Sequence, residues 1–164
     1  MPTLMRIMED VFISSIVWLR RSPNRVIRMG ITHIVIPEDL VDRQISDKFQ
    51  VFTIPSHIRE LASPKEVPVN PFAVMPGVMD FLRQVALFQG RVLFVESEID
   101  WTTLVQSSSS ESQAAEVAAG RKTPHLVREC MLMCLAAIYQ TSAYETYTLI
   151  KSQNLFFQID SRKL

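Results

Sequence analysis

Two apolar, β-branched runs joined by a short helix constrain this chain more than any other feature. Val11-Phe-Ile-Ser-Ser-Ile-Val-Trp18 reads as a strand, or as two short strands with a bend at the serines. Ile31-Thr-His-Ile-Val-Ile36 is a second strand, apolar enough to be buried on both faces and closed by Pro37. Between them, Ser22 is placed to be an N-cap and Pro23 the first helical residue, whose missing N–H costs nothing there. Gly30 stands where a helix ends in a left-handed residue. Two turns of helix between two strands imply a parallel unit.

The same alternation continues. Beyond a polar stretch from Glu38 to Lys48, Phe49-Gln-Val-Phe-Thr-Ile54 is a further strand closed by Pro55. Prolines at 64, 68, 71 and 76 predict an extended loop over Ser63 to Pro76. Val78, Met79, Leu82, Val85 and Ala86 recur at spacings of three and four and predict an amphipathic helix ended by Gly90. Arg91-Val-Leu-Phe-Val95 is a short apolar strand. Leu126 to Tyr139, apolar nearly all round, predicts a buried helix, and Ser142-Ala-Tyr-Glu145 is a capping box opening a last helix to about Ser152. The order predicts an α/β fold: a central, mostly parallel sheet flanked by helices on both faces, formed by residues 1–164 as a single domain. A Ser-rich flexible insertion is expected at about 105–122.

Charge and cysteine usage narrow the function. The 164 residues carry 17 Lys+Arg and 17 Asp+Glu, so no basic surface invites a phosphate backbone or an anionic membrane, and neither nucleic acid nor membrane is expected as a partner. The apolar runs Val11 to Leu19 and Cys130 to Ile138 are too short to span a bilayer. Cys130 and Cys134, four apart among Met and Leu, read as small core hydrophobes in a reducing compartment, the cytoplasm or nucleus. With His125 they lack a fourth ligand and zinc-type spacing, so no metal and no cofactor is expected.

Leu19-Arg-Arg-Ser-Pro-Asn24, then Met29-Gly-Ile-Thr-His-Ile-Val35, then Phe52-Thr-Ile-Pro55, then Gly90-Arg-Val-Leu-Phe-Val95 and two helices, resemble in order the dual-specificity phosphatases of the protein tyrosine phosphatase superfamily. The resemblance covers most of the chain and implies that family's α/β fold. It also implies a site: a Cys, five residues, then an Arg, on a loop between the last strand and the buried helix. Such a loop surrounds a phosphate with backbone amides, lowers the thiol pKa, and clamps oxygens with the Arg.

The residues that should carry that chemistry are absent. The resemblance puts Glu96 at the nucleophile position, and neither cysteine has an Arg six residues later. Arg128 is the nearest candidate for the clamp, but 31 residues separate it from Glu96 instead of five. The general-acid segment reads Ser56-His-Ile-Arg-Glu60, with Glu60 shifted from the place where the family carries Asp. A carboxylate about 4 Å from a phosphate charge opposes binding by roughly 4 kcal/mol per charge pair at an effective dielectric near 20. The reading is therefore a pseudophosphatase-like, non-catalytic protein-interaction or scaffold module, with no catalytic residues and with protein partners. Its expected interaction rim is Ser56, His57, Glu60, Glu96, Ser97 and Arg128, beside the insertion 97–124. Two alternatives stay open: a hydrolase re-using the pocket with Glu96 as general base, and a structural subunit of a larger assembly. Ser107, Ser108, Ser109, Ser110 and Ser112 are candidate phosphorylation sites. His33 reads as a core histidine. The N-terminal stretch Leu4, Met5, Ile7, Met8 could cover its own domain or a partner.

Overall fold

The structure is a computed structural model and describes residues 4–55, 57–59, 66–68, 71–97 and 126–153. The expected insertion, the serines at 107–112, Ser56, Glu60 and the side chain of His57 lie outside the described residues.

The first strand lies where periodicity alone does not decide. Leu4–Met8 (β1) pairs antiparallel with Val11–Ser15 (β2), and Met5 and Ile7 are buried, so this stretch covers its own domain. β2 is shorter than expected. It ends at Ser15, whose Oγ accepts from the Trp18 amide at 3.2 Å and caps the helix Ile16–Arg21 (α1). The β-branched run 16–18 therefore continues as helix, because capping at a buried serine and burial of Trp18 and Leu19 outweigh a weak strand propensity.

Pro23–Arg28 (α2) follows as predicted, with Pro23 at its first position and Gly30 at φ +83°, the left-handed conformation that glycine adopts without penalty. Ser22 occupies the N-cap position but makes no side-chain cap bond. Ile31–Pro37 (β3) is the expected buried strand. The polar stretch after it contains an unpredicted helix, Arg43–Lys48 (α3), opened by Asp42, whose Oδ1 accepts from the Ile45 amide at 2.9 Å. Gln50–Ile54 (β4) follows.

The proline-rich stretch is less open than its composition suggests. His57–Arg59 (β5) and Glu66–Pro68 (β6) pair as a small antiparallel sheet, and the next helix, Pro71–Leu87 (α4), begins at Pro71 instead of Val78. Pro71 sits where its missing N–H is no loss. Pro76 gives up one bond inside the helix, and the stripe Val74, Val78, Phe81, Leu82 and Val85 buried against the sheet holds the turn regardless.

At the other end of α4 the left-handed residue is Gln89 (φ 52°), not Gly90. Gly90 is small for a different reason: a Cβ there would lie 2.2 Å from Thr32 Oγ1 and 3.1 Å from His33 Nδ1. Gly90→Ala is expected to cost about 1–3 kcal/mol through overpacking, read from urea midpoints. An unchanged midpoint would mean that Thr32 rotates aside freely.

Arg91–Glu96 (β7) completes a five-stranded sheet of order β1-β2-β7-β3-β4, parallel except at β1. Leu126–Tyr139 (α5) and Ala143–Gln153 (α6) close one face, and Ser142 Oγ accepts from the Glu145 amide at 3.0 Å as the capping box requires. β7 lies in the middle of the sheet, and its alternation sorts the two cores. Val92 and Phe94 face α4, α5 and α6, while Leu93 and Val95 face α1, α2 and α3. Cys130, Cys134 and Met131 are core residues on α5.

Candidate functional site

In a mostly parallel sheet the functional end is the carboxyl edge of the strands. Here that edge is marked by the last residue of the central strand. Strand parity puts Glu96 on the same face as Val92 and Phe94, toward the start of α5. Arg128 lies in the first turn of that helix. The two side chains meet: Arg128 Nε donates to Glu96 Oε1 at 2.7 Å and Arg128 Nη2 donates to Glu96 Oε2. Both are fully buried, and Arg128 is the largest side chain in the fully buried core.

This fork-to-fork geometry is the one by which a guanidinium holds a carboxylate or a phosphate. One bidentate edge of Arg128, formed by Nε and Nη2, is already donating to Glu96. The electrostatics of the edge therefore differ from the expectation of a repelling carboxylate. Glu96 does not stand as a lone negative charge here; Arg128 pairs with it, and the Nε and Nη2 edge of the guanidinium is occupied from within. Ser15 of β2 is the register partner of Glu96, and the buried Ser14, opposite Val95, donates its Oγ–H to the Ser15 carbonyl at 3.3 Å. Glu129, the next residue on α5, is also buried in the first helical turn, where the helix dipole favours a carboxylate.

No described thiol is poised for attack. Cys130 is buried two residues beyond Arg128, and its hydrogen bond with Cys134, reinforced by burial, pushes its pKa well up, so it stays a neutral thiol. Cys134 Sγ approaches the Met75 carbonyl at 3.9 Å.

His33 belongs to the opposite end of the sheet. It pairs in register with Val92, four residues and about 13 Å along β7 from Glu96 at ~3.3 Å per residue. The ring is buried edge-on against Phe81, with Nδ1 2.6 Å from Thr32 Oγ1. Burial lowers its pKa from 6.5. The folded chain then keeps His33 neutral where the unfolded chain takes up a proton, so stability held above pH 6.5 is lost as pH falls from 6.5 toward the depressed value. Urea midpoints are expected to drop between about pH 7.5 and 5.5, and to drop less in His33→Gln. An equal drop in both would put the acid sensitivity elsewhere.

Of the residues expected at the rim, the structure brings Glu96 and Arg128 together and leaves Ser97 half-buried beside them. His57 is placed by its backbone in β5; Ser56 and Glu60 are not described. Sequence reasoning named both partners of the ion pair but not the pairing. The available signal was parity: Glu96 continues the alternation of Val92 and Phe94, and Arg128 opens an apolar helix.

Solved structures share this arrangement of elements. A leucine-rich-repeat and phosphatase-domain protein from Entamoeba histolytica superposes with a TM-score of 0.59 at 10% identity, over 97% of this chain and 83% of that one. Human DUSP28 superposes at 0.58 with 11% identity, covering 98% and 86%. A point variant of that human protein superposes at 0.60 with 13% identity, covering 98% and 88%. The chain has the dual-specificity phosphatase fold. No protein-family model and no curated protein sequence matches it. Glu96 is the last residue of β7, and Arg128 lies in the first turn of α5. Among the described residues no helix is long and apolar enough to cross a membrane.

Proposed function

We propose that the chain is a non-catalytic protein-interaction module on a dual-specificity phosphatase fold, acting in the cytoplasm or nucleus. The observation that carries this is the buried, bidentate Glu96–Arg128 pair. A phosphate ester needs a thiolate and a free guanidinium at this place, and the residues there are a carboxylate and an arginine that hold each other. A general-base role for Glu96 needs contact with water or substrate, and the carboxylate has no exposed surface. Loss of the catalytic pair leaves the fold's surface as what can be put to use, with a protein as partner.

The test is turnover of p-nitrophenyl phosphate and of phosphotyrosyl and phosphothreonyl peptides by the full chain. No turnover above a heat-inactivated control is expected. Hydrolysis that persists on repurification and falls in the conservative variant Glu96→Gln would overturn the proposal and support the hydrolase reading.

A further inference from the structure

The end of the domain remote from Glu96 carries an open groove of about 630 Å³ between the end of β1 and the α5–α6 corner. Met8 pairs with Val11, and Val11 with Val92, so this groove lies at the amino-terminal edge of the parallel strands. Its floor is apolar, formed by Ile7, Met8, Tyr139 and Leu149. Tyr139 and Leu149 keep 58% and 53% of their surface exposed. For a leucine on a regular helix whose other face is buried in the core, this is a clear excess of apolar surface facing water.

Beside Thr141 and Thr146, the charged residues described in the lining have one sign. Glu9 and Glu145 border the groove, and among the described residues no Lys or Arg lines it. Neither carboxylate forms an ion pair among the described residues. Of the described cations on the neighbouring elements, the Arg6 guanidinium donates to the Glu9 backbone carbonyl at 3.3 Å, and the Lys151 ammonium sits 5.6 Å over the Tyr147 ring.

We infer that this groove is a docking site for a peptide segment of a partner protein bearing an apolar anchor and at least one Lys or Arg. The anchor seats against Tyr139 and Leu149, and the cation meets Glu9 and Glu145. Apolar contact supplies affinity and the paired carboxylates supply orientation and on-rate. The inference rests on the interaction-module reading and adds to it the partner's chemistry and a location about 13 Å or more from the ion pair, at ~3.3 Å per strand residue.

The test selects binders from a randomised twelve-residue peptide library against the full chain and measures their affinities by fluorescence anisotropy. Enriched peptides are expected to combine aromatic or aliphatic anchors with Lys or Arg. They are expected to bind at least tenfold more weakly to Leu149→Ser and to the double variant Glu9→Gln, Glu145→Gln, with circular dichroism unchanged. Enrichment without a basic preference, absence of enrichment, or binding that survives both variants would overturn the proposal. Binders that appear only after deletion of residues 154–164, which read Asn154-Leu-Phe-Phe-Gln-Ile-Asp-Ser-Arg-Lys-Leu164, would assign the groove to the chain's own end and overturn it as well. Turnover of phosphate esters would defeat the module reading without altering these binding ratios, so the two failures are distinguishable.

Discussion

Glu96→Ala and Arg128→Ala are each expected to lower unfolding free energy by about 3–5 kcal/mol, because either change strands a fully buried charge. Replacing both partners by apolar residues of similar volume, Glu96→Leu with Arg128→Met, is expected to return stability to within about 1–2 kcal/mol of the parent or to exceed it. The reason is the desolvation of two ions, which the attraction between them only roughly offsets. Urea denaturation of Glu96→Leu, of Arg128→Met and of the double variant that combines them gives the coupling as a double-mutant cycle. Additive losses, with the double variant worst of all, would show that the two charges do not compensate one another. Full recovery would show that the pair, with Glu96 opposite Ser15 and Arg128 in the first turn of α5, adds little net stability.

Phe94→Ala is expected to cost a similar amount, about 3–5 kcal/mol, for a different reason. Phe94 is fully buried in the middle strand, within the core shared by β7, α4 and α5. Its ring brings no desolvation penalty to offset its burial, so no second substitution should recover the loss. Phe94→Leu, which keeps most of the volume, should retain most of the stability, and the difference between these two midpoints measures the cavity. If Phe94→Ala lost less than about 1 kcal/mol, the core around β7 would be collapsing into the space, and the close-packed interior inferred for this face would be wrong. Phe94 and Glu96 stand two residues apart on one strand face, yet truncation of Glu96 is repairable by removing its partner and truncation of Phe94 is not.

Strand and helix identities were legible where one physical signal dominated. Ile31–Ile36 and Arg91–Val95 are continuous apolar runs with nowhere to go but a buried sheet, and Leu126–Tyr139 is apolar nearly all round, so each reached its expected state. The errors fall where two local signals competed. Ile16-Val-Trp18 is β-branched and aromatic, yet Ser15 caps a helix there. Prolines at 71 and 76 suggest loop, yet a stripe of buried apolar residues carries helix through them. The helix at 43–48 was hidden because its only buried side chain is Ile45, too little for a periodic pattern to register.

The site divides the same way. The sequence by itself determined that no Cys has an Arg six residues later, that a glutamate follows the apolar run Arg91–Val95, and that an arginine stands near the start of the apolar run Leu126–Tyr139. Those are statements about residue type and order, and covalent sequence settles them. Only the tertiary structure decided that Glu96 and Arg128 are partners, since the 31 intervening residues carry no information about whether the two ends of a segment meet. It likewise decided that Tyr139 and Leu149 share a groove with Glu9, a residue from the far end of the chain. Sheet order brings them together: β7 inserts between β2 and β3, α5 and α6 pack over that face, and distances through space are then set by burial of the common core.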